Sequence, residues 1–216
     1  MKKRLMGEDR SVVWYDNNAD EIADRYESLS PAGIHSWLLD YIPAQHGGTV
    51  LDVGSGTGRD AAWLAGLGYE VVAVEPSKAM RNQAWKRHPN ARVHWIDDRL
   101  PEINGVRALR MRFDLILLSA VWMHIPLRDR PVAFRLLLQL LQPSGMLVMT
   151  LRQGAVSAER GIGPTSVNEI ECLAKGHGAR VKHIGGTNDL LGRIDVTWAN
   201  VAVSVPSIVP TVHGLT

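Results

Sequence analysis

Apolar positions in the first part of the chain recur at helical spacing. Ala19, Ile22, Ala23 and Tyr26 fall at i, i+3, i+4 and i+7, the stripe of an amphipathic helix. Ser30-Pro31 then supplies an N-cap followed by proline at the first helical position. The spacing predicts a second helix carrying Ile34, Trp37, Leu38 and Tyr41 and running to Pro43. Gln45-His46-Gly47-Gly48 is a polar break, and the pattern changes after it.

From residue 49 onward short apolar runs alternate with helical stretches. Thr49 to Val53 reads as a buried strand, and Arg59 to Leu67 as a helix closed by Gly68. Glu70 to Val74 is a second strand, and Ser77 caps a helix reaching His88. Arg92 to Ile96 is a third strand. Phe113 to Ser119 is the most continuously apolar strand, which implies burial on both faces. Arg130 to Leu141 is helical, Pro143-Ser144-Gly145 turns, and Met146 to Leu151 is a fifth strand. Ser166-Val167-Asn168-Glu169 is a capping box before a helix to about His177. Two strands close the pattern, Ala179 to Ile184 and Val196 to Val203. Gly185-Gly186-Thr187-Asn188 opens a connection without helical periodicity, so this pair is expected to be antiparallel. Strands alternating with helices elsewhere mean a parallel sheet built from right-handed crossovers.

Composition narrows the class without deciding it. The 216 residues are 45% hydrophobic and 21% charged, an ordinary globular balance. Lys plus Arg number 24 against 22 Asp plus Glu, a formal charge of +2 and too even for an electrostatic nucleic-acid binder. The single cysteine, Cys172, excludes an intramolecular disulfide and a Cys-rich zinc site. Met1-Lys2-Lys3-Arg4 runs straight into Gly7-Glu8-Asp9-Arg10, without the apolar core of a signal peptide. No run approaches the ~18 apolar residues of a membrane span. A cytoplasmic protein is expected. The eight histidines show no metal-binding spacing, so no required metal is expected.

Chemistry concentrates in Leu51-Asp52-Val53-Gly54-Ser55-Gly56-Thr57-Gly58-Arg59, a strand entering a glycine-rich turn and a helix. Glycines there allow a sharp turn and let a ligand lie against bare backbone. Arg59 stands where a dinucleotide fingerprint has its third glycine, and Asp52 would repel a pyrophosphate. The loop therefore favours a zwitterionic or cationic ligand over NAD. Glu75, ending the second strand, is suited to accept from both hydroxyls of a ribose; the alternative is a solvated charge flanking a helix.

Taken in order, D-V-G-S-G-T-G, V-A-V-E-P-S-x-x-M, I-D-D-x-L-P, F-D-L-I-L-L-S and L-x-P-S-G-x-L resemble the class I S-adenosylmethionine-dependent methyltransferases over roughly residues 49 to 151. The resemblance implies an α/β, Rossmann-like, seven-stranded and mostly parallel sheet. Helices would cover both faces, and a final antiparallel strand would insert beside the sixth. It implies a helical segment at 1–48 packing on the core, a cofactor-binding domain at 49–204 and a tail at 205–216. S-adenosylmethionine would lie over the carboxyl ends of strands one to four, leaving S-adenosylhomocysteine as product. Gly54, Ser55, Gly56 and Gly58 would approach its methionyl part, Asp52 would help place the ammonium end, and Glu75 would hold the ribose. Pro76, Ser77 and Met80 would flank the adenine. One of Asp97 and Asp98 would accept from the adenine amino group. Ser119 and Ala120 would end the fourth strand beside the sulfonium. Tyr15 and Tyr26 would fold over the methionyl tail, or simply pack a helix on the sheet.

Methyl transfer from a sulfonium is an in-line displacement, so the protein mainly aligns the acceptor and excludes water. The resemblance implies that Ser119 to His124, following the fourth strand, border the transfer site. His124 is a candidate general base or substrate contact, the alternative being a helix cap. Trp122 is a candidate pocket wall, sharing a side with His124 if the segment stays extended, or else a core residue. Arg152 begins a Gly- and Ser-rich stretch to Thr165 that suggests a lid, and it is placed to bind an anionic substrate group. The segment lacks the Asn/Asp-Pro-Pro-aromatic motif of amino-methylating nucleic-acid enzymes, and no cysteine stands near it for cytosine C5 chemistry. A small-molecule acceptor is expected, since beyond the helical N-terminal segment no stretch of this sequence reads as a large substrate-recognition domain. The alternatives are an enzyme that cyclises or cleaves S-adenosylmethionine, an RNA methyltransferase, for which pI ≈ 8.8 and the arginines from 107 to 112 speak, and a non-catalytic cofactor-binding subunit.

Overall fold

The computed structural model describes residues 10–41 and 47–206. Pro43, the first half of the polar break before Thr49 and nearly all of the expected tail lie outside them. The first helix, α1 (Arg10–Glu27), buries Ala19, Ile22 and Ala23, the apolar stripe of the sequence. The second is shorter than its periodicity predicts. Ser30 caps α2 (Pro31–Ile34), and the helix then breaks at His35 into a 3-10 turn over Ser36–Asp40. His35 is fully buried and its ring bonds to Asp60 at 2.9 Å. Its side chain is thus held by the neighbouring helix instead of following the surface of its own.

The core elements follow as β1 (Thr49–Val53), α3 (Arg59–Gly66), β2 (Glu70–Val74), α4 (Lys78–Arg87) and β3 (Val93–Ile96). Next come α5 (Asn104–Ala108), β4 (Phe113–Ser119), a 3-10 turn at Trp122–His124 and α6 (Arg130–Gln139). β5 (Leu141–Gly154), α7 (Val167–Gly176), β6 (Arg180–Asn188) and β7 (Val196–Ser204) complete the order. The seven strands form one sheet in the order β3-β2-β1-β4-β5-β7-β6. β7 is antiparallel to both β5 and β6, so six strands run one way and β7 the other.

Three details differ from the pattern reading. β5 begins before the Pro143-Ser144-Gly145 turn and absorbs it as a bulge, since Phe113 pairs with Leu141 but Leu115 pairs with Met146. Gly185 to Asn188 continue β6 along β7 instead of leaving the sheet. The short helix α5 carries only one buried apolar residue, Val106, too little for a periodic signal.

Side-chain alternation along the strands splits the core in two. Leu51, Val72, Ile116, Leu118 and Met149 face α6 and α7, whose Phe134, Leu137 and Ile170 they meet. Val50, Val71, Leu115, Leu117 and Val148 face Ala61 and Leu64 of α3 together with Leu38. α1 lies on α4, packing Ala19 and Ile22 against Met80. That placement puts α1 beside the carboxyl ends of the parallel strands, where open α/β sheets bind ligands. Among the described residues, no helix is long and apolar enough to cross a membrane.

Candidate active site

A cavity of about 630 Å³ opens over the carboxyl ends of β1, β2, β4 and β5, within the range of small-molecule sites. α1 walls it on one side with Tyr15 and Tyr26, and the β6–β7 connection walls it on the other. Gly54, Ser55, Gly56, Asp52, Glu75, Pro76 and Met80 line its glycine-loop half, and Ser119 and Ala120 lie at its middle.

The turn at the glycine loop is left-handed at Gly54, Gly56 and Gly58, with φ of 70°, 56° and 79°. A side chain at Gly56 would meet only Met80 Cε, at 3.6 Å, so this backbone is bare toward the cavity. Gly58 differs. It does not line the cavity, and a Cβ there would lie 2.5 Å from the Trp95 ring and 3.0 Å from Ala84. Gly58 therefore lets α3 and α4 approach each other over β3, a packing duty and not the ligand approach expected of it.

Glu75 is held by backbone. The Gly56 amide donates to Oε2 at 2.9 Å and the Ser77 amide to Oε1 at 2.8 Å. Burial pushes its pKa up to about 7, against the pull of these amides and of Arg81. Asp52 is also buried, and burial, reinforced by the charge of Asp60, raises it well above the usual carboxylate range. Its Oδ2 has no hydrogen-bond partner. Ser55 Oγ is likewise buried and unpartnered beside it in the loop. Burial would raise Asp60 too, but His35 and Arg59 outweigh it and hold that carboxyl low. The unsatisfied oxygen of Asp52 is thus the acceptor that a cationic ligand group would complete.

Two expected cofactor contacts are differently employed. Ser77 is fully buried, caps α4 by accepting from the Met80 amide, and donates to Asp16 at 2.6 Å. It faces α1, not the cavity. The Asp97 side chain is 69% exposed and pairs with Arg81 at 2.6 Å. Of the two adjacent acids only Asp98 lines the cavity, and its carboxylate accepts from the Gly105 and Arg99 amides.

The other half of the cavity is built on the 3-10 turn after β4. The turn separates Trp122 from His124, because a 3-10 segment rotates about 120° per residue and does not alternate like extended chain. Trp122 is fully buried against Phe134, with Arg130 over its ring, and does not line the cavity. It is a core residue and not the pocket wall. His124 does line the cavity. Its Nδ1 lies 3.1 Å from the Gly161 carbonyl, which can only accept, so Nδ1 carries the proton. Nε2 is left with its lone pair, 3.3 Å from the Tyr15 hydroxyl, which in turn lies 3.3 Å from that of Tyr26. Burial lowers the His124 pKa to about 4, so the ring is neutral at pH 7 instead of half-titrated. Burial raises Tyr15 well above 10, keeping its phenol protonated.

The segment after β5 is pinned in place. Ser157 and Ile162 form a β-bridge, the Gly163 amide donates to the Met123 carbonyl, and Thr165 Oγ1 donates to the Arg152 carbonyl. Arg130, buried, ties both sides together by donating to the carbonyls of Ile125 and Pro164 and to Glu169. Glu169 is therefore spent on Arg130, although Ser166 caps α7 as its motif predicts. Arg160 and Arg193, unmarked in the sequence, line the cavity with Arg152. Only the glycines around Arg160 hinted at a turn toward the site. His35 and its partner Asp60, whose charge helps raise Asp52, likewise carry no sequence motif.

A family model described as a methyltransferase domain matches residues 20–178. The chain belongs to the class I S-adenosylmethionine-dependent methyltransferases. An uncharacterized methyltransferase of Alkaliphilus oremlandii is 28% identical over 65% of this chain and 60% of its own length. Protein-L-isoaspartate O-methyltransferase 2 of Rhodopseudomonas palustris is 31% identical over 59% of the chain and 55% of its own length. The chain spans at most 60% of the curated relatives it matches. Among solved structures, the DhpI–SAH complex superposes with a TM-score of 0.66 at 16% identity, covering 93% of this chain and 97% of that one. A Haemonchus contortus phosphoethanolamine N-methyltransferase 2 reaches 0.68 at 19% identity, covering 96% and 62%. S-adenosylmethionine is the cofactor of this family, and the bare Gly56 backbone, the unsatisfied Asp52 oxygen and the amide-held Glu75 are chemically suited to it.

Proposed function

We propose that this chain methylates a small-molecule acceptor from S-adenosylmethionine. What carries the reading is that one cavity joins the glycine-loop half, with Asp52 and Glu75, to a second half lined by His124 and Arg152. When bound, the cofactor supplies an electrophilic methyl group on a sulfonium. Asp52 answers its ammonium, Glu75 accepts from its ribose hydroxyls, and Pro76, Met80 and Asp98 border the adenine. Gly54, Ser55 and Gly56 would give the methionyl part a bare backbone, and Tyr15, Tyr26, Ser119 and Ala120, which line the same cavity, would hold the rest of that part.

His124 supports a base role by its tautomer. With the Nδ1 proton held by Gly161, the Nε2 lone pair is available to an acceptor O–H or N–H, directly or through the Tyr15 hydroxyl. Its lowered pKa keeps the ring unprotonated across the neutral range.

The reading is tested by incubating the protein with methyl-labelled S-adenosylmethionine and a panel of small acids, amines and phenols, then resolving products by mass. Label in an acceptor together with S-adenosylhomocysteine supports it. Methylthioadenosine or a cyclised product without a methylated acceptor would instead mean a cofactor-cleaving enzyme. Label only in added tRNA would mean an RNA methyltransferase.

A further inference from the structure

The acceptor half of the cavity carries positive charge, and at Arg152 and Arg160 no ion pair with a described acid answers it; Asp195 and Asp189 oppose it at Arg152 only through space. Arg152, Arg160 and Arg193 all line it. Arg193 is accounted for, since Asp189 accepts from its Nε and Nη2 and also from Trp198. Arg152 is different. It is only 8% exposed, its Nη1 donates to the Ala155 carbonyl at 2.7 Å, and its Nε is buried without any partner. Arg160 Nε is buried and unpartnered as well, and the guanidinium rests 4.4 Å from the Trp14 ring centre. Stacking on an indole fixes a guanidinium without using its donors, leaving them directed elsewhere.

Two unneutralised guanidinium groups bordering one cavity are costly without a partner, because buried donors are normally satisfied and buried charges paired. Burial first, then the charges of Arg193 and Arg160, lower the Arg152 pKa, and the opposing charges of Asp195 and Asp189 do not reverse this. Arg152 and Arg160 line the same cavity as His124, and their charges help lower its pKa. On the glycine-loop side the lining cations are Arg59, already bound to Asp60 and to the Tyr26 carbonyl, and Arg99, next to Asp98.

Resting on the methyl-transfer reading above, we propose that the acceptor carries an oxyanion, a carboxylate or a phosphate, held by Arg152 and Arg160. A planar guanidinium presents paired donors that match either group, so both anions share one recognition chemistry. The acceptor would then be anchored by its charge with its nucleophilic atom near His124. Arg193 stays with Asp189 as a wall.

Isothermal titration of benzoate, phenyl phosphate and uncharged benzamide, each into the protein with and without saturating S-adenosylhomocysteine, tests this. At least one anion should bind at least about tenfold more tightly than benzamide, the scale of one charge-assisted pair. The two anions distinguish carboxylate from phosphate. Arg152→Gln and Arg160→Gln should each lose that preference while binding S-adenosylhomocysteine within about twofold of the parent. Arg160 in the parent protein should also react more slowly with phenylglyoxal when the preferred anion is present, a readout independent of how the variants fold. Benzamide binding as tightly as the anions, anion affinity unchanged in both variants, or absence of protection would overturn the proposal. So would a large loss of S-adenosylhomocysteine affinity in the variants, which would assign the arginines to the cofactor's own carboxylate. A parent protein that binds the anion but not S-adenosylhomocysteine would uphold the oxyanion site and remove the methyl-transfer reading instead.

Discussion

His124 shows how far the surroundings of one residue can move its chemistry. In water its imidazole would titrate near 6.5, and a rate profile with an inflection there would follow. Burial lowers the value to about 4, and the Gly161 carbonyl fixes which nitrogen carries the proton. The unprotonated ring that a base role would need is then present throughout the neutral range, at the cost of basicity. His124→Ala should lower turnover by ~10²–10⁴-fold if the ring takes the acceptor's proton. Cofactor affinity, measured by S-adenosylhomocysteine titration, should stay nearly constant, and neither profile should show an inflection near 6.5 from this group. The folded pKa lies below the unfolded one, so the parent protein loses stability as pH falls from 6.5 toward 4, and the variant should lack that loss. Wild-type turnover in the variant would show that proximity alone drives the reaction.

Elements that obey a simple period were readable, and those set by tertiary contacts were not. β1, β2 and β4 match their apolar runs residue for residue, because a strand buried on both faces needs only a continuous apolar stretch. The second helix fails at His35 because a buried bond to Asp60, on another element, overrides local propensity. The β5 bulge and the extension of β6 are properties of strand pairing, which no single segment records. The same divide runs through the site. Asp52, Gly56 and Glu75, marked by motifs, line the cavity, whereas Trp122 and His124 part company through a 3-10 turn and Arg160 reaches the cavity from a segment without periodicity. Gly58 marks the boundary, since its motif was legible and its duty was not. Gly58→Ala should strain a φ of 79° and press a Cβ to 2.5 Å from Trp95. We expect it to lower stability by about 2–4 kcal/mol from backbone strain and overpacking. Urea denaturation measures that loss. The folded variant should retain S-adenosylhomocysteine affinity, whereas a Gly58 in direct ligand contact would lose affinity first.

Across the whole molecule, ligand binding and folding compete for the same proton on Glu75. The folded carboxyl titrates at about 7 and the unfolded one near 4.5, so the empty protein takes up a proton on folding between those values. Its stability is therefore highest on the acid side of that window, as far as this group is concerned, and is lost as pH rises toward 7. A ribose donates hydroxyl protons and favours the ionised carboxylate, so the ligand pulls the other way. S-adenosylhomocysteine should bind up to about tenfold more weakly at pH 6 than at pH 8, one pH unit below a group of that pKa being worth ~1.4 kcal/mol. The gain in melting temperature at fixed ligand should rise across the same window, since stabilisation follows the ratio of ligand to dissociation constant. Glu75→Gln cannot ionise, and its amide can answer only one of the two backbone donors at Gly56 and Ser77. It should bind S-adenosylhomocysteine ~1–3 kcal/mol more weakly at pH 8, the scale of a lost charge-assisted hydrogen bond. Its affinity should also lose the part of the pH dependence that Glu75 carries. Calorimetric titrations of both proteins at several pH values decide the matter. If the parent and the variant share one slope, another group carries the linkage and Glu75 serves only to brace the glycine loop.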